Sequence, residues 1–115
     1  MNNILPDLKI CQEAFKKGII KESKFSFVKF PSGEICIMET NTHPNFNIYP
    51  APLTDEILKV LPEKEIFFNK GEDGYLVQYA PLIMIENSVI EVIDKKLSNA
   101  LLLLAIKLKS EGMLK

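Results

Sequence analysis

The chain has 115 residues, 47% of them hydrophobic and 25% charged, with a formal net charge of −1. That is the size and composition of one globular domain, which buries roughly two-thirds of its unfolded surface and needs no disulfide or metal to fold. All 14 basic side chains are lysine, beside one histidine, two cysteines and no tryptophan, which leaves little from which to assemble a metal centre, a catalytic triad or an arginine-based reader of nucleic acid.

Ile4, Leu8, Cys11 and Phe15 are spaced by four, three and four, the interval that lines one face of a helix. With Pro6 and Asp7 suited to a first turn, Lys16 and Lys17 to a last turn and Gly18 to a stop, the pattern predicts a helix over about residues 6–17. Residues 25–30 are an aromatic and β-branched run and residues 34–39 a second strand-like run, on either side of Pro31-Ser32-Gly33, which predicts a hairpin. Both runs are apolar on both faces, so the hairpin is expected inside a covered sheet. Residues 40–47 are polar and irregular, and Pro50 and Pro52 continue an extended path that excludes a central strand.

Thr54 reads as an N-cap, with Asp55 and Glu56 at the positive end of a helix dipole and Leu53 and Leu58 as a hydrophobic staple. Pro62 ends that helix after Leu61. Residues 65–69 and 75–79 form a second expected hairpin around the glycine-bounded loop 70–74. Residues 82–93 are rich in Ile and Val with Asn87-Ser88 between. Two strands are the preferred reading there, with a helix start at residues 89–96 as the alternative. A last helix runs from residue 97 or 98 to Ser110, its centre apolar all round and hence expected deep against a sheet. The whole chain, 1–115, is read as a single α+β domain: three helices packed on a largely antiparallel sheet of four to six strands.

The N-terminal seven residues lack the basic and apolar regions of a signal peptide. The longest apolar run, residues 100–106, is far short of the about 20 residues of a membrane span. A cytoplasmic protein is expected, and Cys11 and Cys36, 25 positions apart, are read as small apolar fillers in preference to a disulfide. Charge is uneven: residues 1–30 carry +3, residues 31–94 carry −8 and residues 95–115 carry +4. A solvated surface in which the basic ends lie near each other accounts for this more simply than an acidic patch built for a basic partner.

No constellation of reactive groups stands out. His43 is the only imidazole, and nothing near it signals a nucleophile and an orienting carboxylate. The adjacent pairs Asp55/Glu56 and Glu72/Asp73 diverge on a helix or turn, and the loop 70–74 lacks the Walker spacing of a phosphate loop. No catalytic residue, metal or cofactor is therefore assigned. The stretch 41–52 joins loop character to Phe46, Tyr49, Pro50 and Pro52, and Glu72 and Asp73 form an acidic tip. These six residues are the candidate interaction surface. Small-ligand binding near Tyr49 and Tyr79 is a weaker option.

Three segments in order carry a resemblance: the opening helix with Leu8, Cys11 and Phe15; residues 51–62, a short helix ending in Leu61-Pro62; and the closing helix from Asn99-Ala100-Leu101 to Gly112-Met113-Leu114. The strand Gly74-Tyr75-Leu76-Val77-Gln78-Tyr79 sits between the last two. The arrangement resembles small uncharacterised proteins encoded by phages, prophages and mobile elements of Bacteroides-type bacteria. In those, Asp often stands where this chain has Asn99, and a tryptophan decorates the last helix, where this chain has none. The resemblance implies a bacterial cytoplasm and an accessory role, and it carries no catalytic residue over. A non-enzymatic accessory protein that binds a protein partner is the leading expectation. The alternative is a nucleic-acid-binding accessory protein using lysines near both ends, against which the pI of 5.8 and the acidic middle weigh.

Overall fold

The computed structural model describes residues 4–39, 47–62, 66–80 and 90–112. Along these the order is α1 (Leu8–Lys16), β1 (Phe25–Lys29), β2 (Ile35–Glu39), β3 (Asn47–Ala51), α2 (Thr54–Val60), β4 (Ile66–Gly71), β5 (Gly74–Tyr79), β6 (Ile90–Asp94) and α3 (Leu97–Ser110). The class is α+β, as expected, and all strand pairs are antiparallel.

The strands do not form one sheet. They form two, ordered β2-β1-β3 and β4-β5-β6. Pro50 on β3 is paired with Ser26. Among the described residues β3 is an edge of the first sheet, a position that tolerates a proline because it has no N–H for a further ladder. The prolines thus admit a strand where the sequence reads as an irregular extended path, but only at an edge. The second sheet begins after α2.

α3 joins the two halves. It packs on β5 and β6 and against α1 and α2, while α1 lies on β3. Leu101, Leu102, Leu104 and Leu108 are fully buried, and each such side chain contributes about 2–3 kcal/mol on removal from water. The all-round apolar centre of α3 is explained by these three sides of contact. The radius of gyration is 14.9 Å, with extents of 49 × 32 × 19 Å, against about 13 Å for a compact chain of this length. The dimensions are those of a broad, thin molecule.

Several boundaries differ from the sequence expectation. α1 starts at Leu8 with Asp7 in the cap position. Its buried residues are Cys11 and Ala14, while Ile4 and Phe15 are exposed. Phe15 lies at the rim of the core, edge-on to Tyr49 with ring centres 6.3 Å apart. Of the first hairpin only β1 is covered, with Ser26, Phe27 and Val28 buried; β2 is an edge strand whose Ile35 is exposed. In the second hairpin Gly71 pairs with Gly74, so the turn is Glu72-Asp73 alone rather than five residues. Residues 90–94 are strand and not helix. The other strand expected in the 82–93 segment falls in 81–89, outside the described residues.

In α2, Leu53 takes the cap position and Thr54 is the first helical residue, so the staple expected from Leu53 and Leu58 is displaced by one position. The reason lies in Glu56. Its carboxylate accepts from the Leu53 N–H at 2.8 Å and from the Lys24 N–H at 3.1 Å. It thereby closes the start of the helix and ties it to the approach to β1.

Candidate interaction surface

A polar knot holds the N-termini of α1 and α3 to the end of β6. Asn99 is buried; its Oδ1 accepts from the Asp7 N–H at 2.8 Å, and its Nδ2 donates to Asp7 Oδ2 at 3.0 Å and Asp94 Oδ1 at 3.3 Å. Asp94 Oδ1 also accepts from the Lys96 N–H at 2.9 Å. Lys96 Nζ meets Asp7 Oδ1 at 2.8 Å. The hydrogen bond from Lys96 holds the Asp7 carboxyl below its ordinary value of 3.8, against the opposing effect of burial. These groups satisfy one another, so the knot braces the fold rather than presenting reactive atoms.

Beside it Cys11 Sγ donates to the Pro6 carbonyl at 3.7 Å. Burial, with the Asp7 charge, pushes this thiol from 9.0 up to about 12. A thiol so displaced is not a nucleophile near neutral pH. Both cysteines are free. Among the described residues no group of three or more His, Cys, Asp or Glu is arranged to hold a metal ion, and no helix is long and apolar enough to cross a membrane.

The expected surface residues are scattered. Pro50 and Pro52 are buried and offer no surface, because the edge strand and the α2 entry press them inward. Tyr49 is half-buried on β3, packed on the core and on Phe15. Phe46 and His43 lie outside the described residues. Tyr79 sits on the other sheet, paired with Ile66 and Ile90. Glu72 and Asp73 are exposed at the β4–β5 turn, and Asp73 shares a shallow depression with the polar knot. Of the phenylalanines weighed as stacking platforms, Phe27 is buried and Phe25 and Phe30 are half-buried.

The prominent apolar surface is elsewhere. β4 is the edge of its sheet among the described residues, and Phe67 and Phe68 are each 55% exposed. Consecutive side chains on a strand point to opposite faces. The register places Phe68 with Val77 and Val92 on the face covered by α3, and Phe67 with Gln78 and Glu91 on the open face. α3 covers β5 and β6 but stops short of β4, so Phe68 projects past the helix layer. There it lines a groove of about 290 Å³ with Leu58, Lys59, Leu61, Pro62 and Ile66. On the open face Ile93, 62% exposed, extends the apolar area across the sheet.

Neither Phe67 nor Phe68 stands out as a surface residue in the sequence, where residues 65–69 read as an ordinary strand. The available signal is the Phe-Phe pair itself: side chains on both faces of one strand are both covered only if the strand is central. Comparison with protein-family models, with curated proteins and with solved structures finds no match.

Proposed function

We propose that the chain is a non-enzymatic accessory protein that binds a protein partner through β4 and the groove between β4 and α2. The carrying observation is the double exposure of Phe67 and Phe68 on an edge strand. An edge with apolar side chains on both faces is a template for another chain, and folded proteins normally blunt or cover it. The groove adds pockets for side chains, the arrangement used in strand-addition recognition. The resemblance to phage, prophage and mobile-element proteins supplies the setting, an accessory in a bacterial cytoplasm. Crosslinking in the native host should recover a protein bound to this face, and Phe67→Ser with Phe68→Ser should release it. Catalytic turnover abolished by a single polar substitution would refute the reading.

A second reading has one observation in its favour. Lys17 Nζ lies 3.5 Å from Ser110 Oγ, so the lysine-rich ends of α1 and α3 meet although they are far apart in sequence. Lysines there also offset the negative ends of two helix dipoles, which makes nucleic-acid binding the lesser reading. Titrating binding to generic duplex and single strands with salt decides it. Phosphate contacts give a steep negative slope, and no binding at low salt rules them out.

A further inference from the structure

We draw no further inference here: the strongest candidate, the exposed apolar edge of β4 with the groove it lines beside α2, belongs to the surface already described, and nothing in the structure shows what covers it.

Discussion

Single residues lead to measurements at Gly74, Ser98 and the two cysteines. Gly74 opens β5 at φ +124°, and a Cβ there would lie 2.5 Å from the Asp94 carbonyl oxygen. Both backbone strain and collision with backbone penalise any side chain. Gly74→Ala is expected to cost about 2–4 kcal/mol in denaturant unfolding. An unchanged midpoint would mean that β5 and the end of β6 do not approach so closely. Ser98 is the opposite case. Its hydroxyl is buried with no hydrogen-bond partner among the described residues, so Ser98→Ala should be neutral or stabilising by up to about 1 kcal/mol. A marked loss of stability would show that the hydroxyl has a partner. Cys11 and Cys36 should separate cleanly under a thiol reagent: Cys36 is half-buried on an edge strand, while Cys11 is buried with its ionisation pushed up to about 12. Mass spectrometry after a short pulse is expected to find Cys36 labelled and Cys11 protected until denaturant is added. Equal rates would count against the buried placement of Cys11.

At the element scale, α2 is the clearest test of how local chemistry starts a helix. Seven residues are too few to hold a helix by themselves. Glu56 compensates by accepting from two backbone N–H groups, one at the helix start and one before β1. Glu56→Ala should cost about 1–2 kcal/mol and Glu56→Gln less, read from thermal melts. Equal effects of the two variants would show that charge, not hydrogen bonding, matters. The acidic character of this first turn is plain in the sequence. Which residue caps is not, because the Lys24 N–H arrives from a distant segment. The hairpins show the same division. Their strand runs are legible from aromatic and β-branched residues, yet β2 and β4 are rich in apolar residues like the strands they pair with. Being on an edge is a property of neighbours, so Ile35, Phe67 and Phe68 look like core residues until the sheets are assembled.

At the scale of the molecule, the polar knot ties together segments about ninety residues apart, and it should respond to acid. Asp7 has a lowered folded value relative to 3.8. The stability it contributes is therefore present above that pH and lost as pH falls below it through the folded value. Asp7 is substantially exposed, so the effect is modest. The native chain should lose more stability than Asp7→Asn between pH 4 and pH 2 in denaturant titrations. Parallel loss in the two proteins would remove the Lys96 contact as the cause. The tertiary arrangement also decides the surface. The expected contact residues Pro50 and Pro52 turn inward under the edge of the first sheet, and the exposed apolar area moves to the second.

The sequence alone determined the class of the protein: where its helices and hairpins run, the deep burial of its last helix and its poverty in reactive side chains. Those features follow from periodicity, turn chemistry and composition, which act between near neighbours. The division of the strands into two sheets, the gathering of Asp7 and Asp94 by Asn99 and the reach of β4 beyond the helix layer come from packing in three dimensions. Each of these depends on contacts between distant segments, where a helix one strand too narrow determines which apolar side chains stay in water.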